Sequence, residues 1–306
     1  MKSRLCEICS IRVPLFLGPM RLVSTAPLVA AFCQAGGLGC LASAGLSEKR
    51  FRLEVEEIRK QTSSPFAVNI AWTTPGAQKV MAWCLAESIG VVISSAGCPE
   101  AGLSRLKEKG LTVLQVVANV DQARNAEGLG VDGVITKGYE SGGLNARQAV
   151  ASLPLIPMVA DAVSIPVIAA GGIADGRGVA AALALGAEGV LMGTRFLASQ
   201  ECPIHPNYKE AILRGSDTDT IDAQFQRFSV RLWKNPTALN LSGEEPLWEA
   251  MADFSRGDDA INKVWSVGQV AGLITRCPSV QEIFEDIITG FREASSRLQK
   301  ISSLST

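Results

Sequence analysis

The chain has 306 residues, 47% of them hydrophobic and 19% charged, with 29 basic against 30 acidic residues and a formal net charge of -1. So much core material excludes a disordered chain, and the even charge leaves no electrostatic footprint for nucleic acid or an anionic membrane. The length suits one barrel with an insertion or two small domains, so the order of elements has to decide.

The N-terminus carries Lys2, Arg4 and Glu7 with no apolar run long enough for a signal peptide. Cys6 and Cys9 form a CxxC, but no second pair and no nearby histidine complete a ligand set, so no metal site is expected. The eight scattered cysteines then read as reduced thiols of a cytoplasmic protein.

From Val13 onward a short apolar run, a Gly- or Ser-containing loop and an amphipathic stretch recur. Strands are predicted at 13–17, 39–42, 66–70, 91–94, 112–117, 133–136, 167–170 and 189–192, with helices such as 27–35, 48–61, 75–87, 99–108, 120–129 and 178–185 between them. Strands without internal polar alternation, each followed by a helix, predict an α/β fold, a closed (β/α)8 TIM barrel. The competing arrangement is an open doubly wound sheet. Its best dinucleotide-like spacing, Gly37, Gly39 and Ala42, follows a helix, which is the wrong context, and reads better as a helix C-cap.

Residues 151–172 are the most apolar window, yet Pro154, Pro157, Asp161 and Pro166 interrupt it, as a helix followed by a strand would and a membrane span would not. Residues 199–262 turn more polar, with Trp233, Trp248, Pro203, Pro206, Pro236 and Pro246, and are expected to form a mostly helical capping insertion. An apolar helical pattern resumes over 266–300, so residues 1–198 and 263–306 are assigned to the barrel.

The loops after strands seven and eight of such barrels commonly bind phosphate through converging main-chain N–H groups. Here they read Ala170-Gly171-Gly172, with Asp175 as N-cap of the next helix, and Met192-Gly193-Thr194. One such loop alone reads as a tight turn; two at consecutive strand ends point to an anion. Phosphosugar, nucleotide and FMN barrels share this cup, so it specifies a phosphate and not a flavin.

Further segments narrow the choice: VPLFLGPMRLVSTAPLVAAFCQAGGLG at 13–39, PFAVNI at 65–70 and GYESGGL at 138–144, with AAGGIADGRGV, LMGTRF, HPNYK, WKNP and VGQVAGLI. With these the chain resembles the nitronate monooxygenase family, formerly the 2-nitropropane dioxygenases, which includes the FMN-dependent enoyl-acyl-carrier-protein reductase II. The resemblance implies FMN in the barrel mouth, with Gly18, Pro19 and Met20 against the ring, Asn69 hydrogen-bonding it, and Ser141, Gly142 and Gly143 close by. Ala170, Gly171, Gly172, Met192, Gly193 and Thr194 would surround the phosphate. A flavin needs a flat apolar slot and a few polar groups at its pyrimidine edge, which Asn69 and Gln115 could supply. Met20 also suits plain core, and Asn69 suits a cap on the next helix.

One departure bears on the chemistry. Family members carry a histidine after the glycine pair of the GYESGG-like segment; here that position is Leu144, which cannot exchange a proton. Tyr139, Glu140, Lys137 or water are left as proton donors. His205, in HPNYK, reads as structural, and Leu17 stands where a glutamine is common. The substrate pocket is expected between Leu144, the insertion aromatics and the flavin. The resemblance thus implies a flavoprotein oxidoreductase acting on a small molecule: NAD(P)H-dependent reduction of an activated C=C, or oxidation of preformed nitronate anions with O2. A non-catalytic flavin-binding protein and a flavin-free phosphate-ligand barrel are the other readings, and a homodimer is left open.

Overall fold

A computed structural model describes residues 3–97, 99–225, 227–241, 247 and 251–303 of the chain; Pro246 and Trp248 of the expected cap lie outside the described residues. The strands are β1 (Leu15–Leu17), β2 (Gly39–Ala42), β3 (Phe66–Ala71), β4 (Val91–Ser95), β5 (Thr112–Val117), β6 (Gly133–Lys137), β7 (Gly143–Ala146), β8 (Val167–Ala170) and β9 (Gly189–Met192). All but β7 form one parallel sheet in the order β1-β9-β8-β6-β5-β4-β3-β2. Its two edges meet where Leu17 N donates to Leu38 O and Leu38 N to Leu15 O, both at 2.9 Å, and this closes the barrel. The expected (β/α)8 architecture is therefore the observed one.

Local chemistry starts the intervening helices where the sequence suggested. Ser47 accepts from Arg50 N at 3.3 Å, Asn119 from Gln122 N at 2.9 Å, and Asp175 from Arg177 N at 2.9 Å, each oxygen satisfying an amide that a helix start leaves free. The pleat then sorts the strand residues into two apolar clusters. Phe16, Cys40, Ala67, Ile93, Leu114, Ile135 and Ile168 fill the barrel interior. Leu17, Leu41, Val68, Val92, Val113, Val134 and Val190 face the surrounding helices. The N-terminal helix Arg4–Ile8 plugs the end of the barrel away from the mouth: Leu5 and Cys9 belong to the interior cluster, and burial pushes the Cys9 thiol up to about 12, which keeps it unreactive.

The insertion contains the helices Pro206–Arg214, Pro236–Leu239 and Asp259–Asn262, and also a hairpin that the sequence reading did not anticipate. Its strands, β10 (Thr220–Gln224) and β11 (Phe228–Trp233), are antiparallel, and β11 pairs in turn with β7, placing Val230 opposite Leu144 and Arg231 opposite Gly143. Ile221, Ala223, Val230 and Leu232 alternate with Thr220, Asp222, Ser229 and Arg231, so one face builds a third apolar cluster while the other turns polar groups toward the barrel loops. Trp233 stacks on Trp265 at 5.1 Å and fastens the insertion to the returning chain.

The C-terminal helix Val280–Ser303 packs across helix Gly176–Ala184 at Gly176 and Gly290. A Cβ on Gly176 would run into the backbone of Ile287, Gly290 and Phe291. Among the described residues no helix is long and apolar enough to cross a membrane. Gly176→Ala is expected to cost about 1–3 kcal/mol through overpacking, read by denaturant unfolding; an unchanged midpoint would mean the crossing is looser than its geometry states.

Candidate active site

Strand alternation decides what the mouth presents. On β6, Ile135 is interior, so Lys137 points into the mouth two residues later; on β3 and β4 the same parity brings Asn69 up from Ala67 and Ser95 up from Ile93. Asn69 is buried, and its Nδ2 donates to Ile93 O and Ser95 Oγ, both at 2.9 Å, which leaves Oδ1 without a donor among the described residues. It caps no helix.

Parity also corrects two expectations. Gln115 lies between the interior residues Leu114 and Val116 and shares its direction with Val113 and Val117 of the outer cluster. Its Nε2 donates to Gly97 O at 3.0 Å and Val116 O at 2.8 Å, so it braces the strand-helix layer and is not at the pyrimidine edge expected of it. Leu17 likewise sits in the outer cluster and removes nothing from the mouth.

Four backbone segments converge above these strands. Gly171 and Gly172 have φ of +99° and +72°, a conformation that glycine adopts without penalty. A Cβ on Gly171 would stand 2.6 Å from Ser141 Oγ, and one on Gly18 would stand 3.3 Å from Gly193 N. Met20 lies over Gly193, its sulfur 3.5 Å from where a Cβ would be, and the Ser24 hydroxyl fixes this turn by donating to Gly18 O at 3.1 Å and accepting from Met20 N at 3.0 Å. Thr194 Oγ1 accepts from Gly268 N at 2.8 Å, which keeps the hydroxyl proton free for a ligand. Among the described residues the main-chain amides of Gly171, Gly172, Gly193 and Thr194 have no protein acceptor. Ala170 belongs to the interior cluster beneath them, Met192 faces the helix layer like its register partner Leu17 and so does not line the turn as expected, and Gly142 packs against Val267 and Gly268.

The loop between β6 and β7 holds the expected proton-transfer candidates. Glu140 accepts from Ser152 N at 3.0 Å and lies 2.9 Å from Ser152 Oγ, whose single proton can serve either that carboxylate or Gly171 O at 3.0 Å. Arg231 stands over the Tyr139 ring at 4.4 Å and donates from Nε to Tyr139 O at 3.1 Å. Arg231 is almost fully buried, donates from Nη1 to Thr220 at 3.3 Å, and has no partner for Nη2 among the described residues. Leu144 packs with Ile221, Phe228 and Val230 in the insertion cluster. Lys137 donates from Nζ to the Leu144 carbonyl, and burial without a compensating carboxylate lowers its pKa to about 8. His205 accepts from Asn207 N at 3.2 Å as the cap of helix Pro206–Arg214, a structural role.

Sequence reasoning missed Ser24, Ser95, Ser152 and Arg231. Strand parity could have found Ser95. The other three depend on contacts between distant segments, and Arg231 also on the unanticipated hairpin.

A family model described as nitronate monooxygenase matches residues 2–83 and 73–290. The chain belongs to the nitronate monooxygenase family. A probable nitronate monooxygenase of Staphylococcus aureus is 31% identical over 264 residues, covering 72% of this chain and 74% of the relative. Among solved structures, FabK from Thermotoga maritima superposes with a TM-score of 0.92 at 38% identity, over 98% of this chain and 99% of that one. A nitroalkane oxidase from Streptomyces ansochromogenes follows with a TM-score of 0.82 at 26% identity, over 97% and 100%.

The donor set described above fits FMN: free amides at two adjacent turns for its phosphate, and the Asn69 oxygen with the Lys137 cation beneath the mouth for its ring. Gly171→Ala is expected to weaken FMN binding about tenfold or more, the effect of losing one hydrogen bond to a charged group. Fluorescence titration of the flavin-stripped protein measures it, and unchanged affinity would remove the Gly171 turn from the phosphate site.

Proposed function

We propose that this protein is an FMN-dependent oxidoreductase that takes electrons from NAD(P)H and reduces an activated C=C, in an enoyl thioester or a conjugated carbonyl. The observation that carries the reading is the pairing, at one barrel mouth, of an anion-ready glycine rim with an apolar floor bearing Asn69 and Lys137. The higher identity to FabK, 38% against 26% for the nitroalkane oxidase, supports the reductase side.

Bound FMN supplies a two-electron carrier that accepts hydride from a nicotinamide and passes it to an electron-poor carbon. Gly171, Gly172, Gly193 and Thr194 would hold its phosphate, Gly18, Pro19 and Met20 would lie against the ring, and Asn69 Oδ1 would accept from a ring N–H. The Ser141–Gly143 backbone would form the side of the mouth that the insertion covers through the pairing of β11 with β7, while Leu144 packs into the insertion's apolar cluster. No side chain at position 144 can take a proton from carbon, so neutral nitroalkanes are expected to be poor substrates, by about 10² to 10⁴ in rate relative to an enzyme with a base there.

A second reading has one observation in its favour. The Lys137 cation, which has no carboxylate partner among the described residues, would attract a preformed nitronate anion, whose oxidation needs no base. Anaerobic reduction with NADH or NADPH, followed by parallel reoxidation with an enoyl thioester, a nitronate and oxygen, separates the two. The enoyl thioester is expected to restore the oxidised flavin fastest; fastest recovery with the nitronate and oxygen would overturn the reductase assignment.

A further inference from the structure

Three side chains around the β6–β7 loop can exchange protons; hydrogen bonds engage the carboxylate of one, and the ring of another is stacked against the insertion. Glu140 uses both carboxylate oxygens as acceptors at the start of helix Ser152–Ala160, from Ser152 N at 3.0 Å and Ser152 Oγ at 2.9 Å. Tyr139 is clamped beneath the Arg231 guanidinium, against the insertion hairpin. Lys137 alone follows the interior residue Ile135 into the mouth, and its ammonium is anchored on the backbone carbonyl of Leu144, the very residue that displaces the family's acid.

From this placement we infer that Lys137 is the proton donor of the site, standing in for the imidazole missing at position 144. The inference rests on the reductase reading. As the double bond opens, hydride reaches one carbon and the Lys137 N–H proton reaches its neighbour. The two electrons are those NAD(P)H delivered to the flavin, which ends oxidised, and the neutral amine regains a proton from water.

The charged or titratable groups on the elements around Lys137, among the described residues, include Tyr139, Glu140, Arg231 and, opposite Arg231 on the hairpin, Asp222, while β5 and β8 present Val116 and Ala170. Only the protonated amine can donate. With its pKa lowered to about 8 by burial, the donor is present below that pH and lost as pH rises through it, whereas an ordinary lysine would persist to about 10.4.

The test uses the flavin-loaded protein with two variants. K137R keeps a cation that does not release its proton, and K137M removes both charge and proton. In both, flavin reoxidation by an enoyl thioester should slow about 10²-fold or more, while flavin reduction by the nicotinamide falls far less. A K137R enzyme that reoxidises at the wild-type rate overturns the inference, because charge without a mobile proton would then suffice. Should K137M purify without flavin, K137R carries the comparison.

An NMR titration of 13C-labelled lysine side chains, assigned by the signal absent from K137R, needs no substrate. A midpoint near the lowered value supports the assignment, and one in the ordinary lysine range overturns it. A wild-type protein that no activated alkene reoxidises overturns the reductase reading itself, a failure that the titration keeps distinct.

Discussion

Closure of the eight-stranded barrel is the constraint from which the candidate site follows. Once Phe16, Leu114, Ile135 and Ile168 occupy the interior, a two-residue period fixes the direction of every other strand residue. That period lifts Asn69, Ser95 and Lys137 to the mouth and sends Gln115 and Leu17 to the helix layer. A one-residue slip of β6 would exchange Thr136 for Lys137 at the mouth and put a cation among the helices, where burying it unpaired costs several kcal/mol. Interior packing and site composition are thus one decision.

Above the strands the site is built mostly of backbone. Gly171 meets Ser141, and Gly142 meets Val267 and Gly268, at distances that leave no room for a Cβ, and Gly18 meets Gly193 in a tight contact. Such approaches put main-chain donors side by side without the entropy of ordering long side chains, which suits a rim that must grip a compact anion. The Glu140–Ser152 pair lies behind this rim and ties the β6–β7 loop to the turn after β8. The insertion completes the wall from the other side through the pairing of β11 with β7. Leu144 itself joins the apolar face of that small sheet and brings no group that can exchange a proton.

Much of this was legible in the sequence. The strands from β2 to β9 that enter the barrel were found to within a residue of their ends, since a buried parallel strand is a short apolar run bounded by glycine, and the cap at Asp175 acts within one turn of chain. The Gly171-Gly172 and Gly193-Thr194 turns were legible for the same local reason. The β10–β11 hairpin was not, although Thr220–Gln224 and Phe228–Trp233 do alternate, because neighbouring prolines and polar residues mask a short period-two signal.

The sequence by itself determined the barrel, its two glycine turns and the absence of an acid at position 144, because each is a property of a few consecutive residues. Tertiary structure alone decided that Gln115 leaves the mouth, that Glu140 is taken by Ser152, that Tyr139 lies under Arg231, and that Lys137 donates to the Leu144 carbonyl. Those outcomes depend on which distant segments closure brings within hydrogen-bond reach, and no local pattern encodes a contact between residues so far apart along the chain.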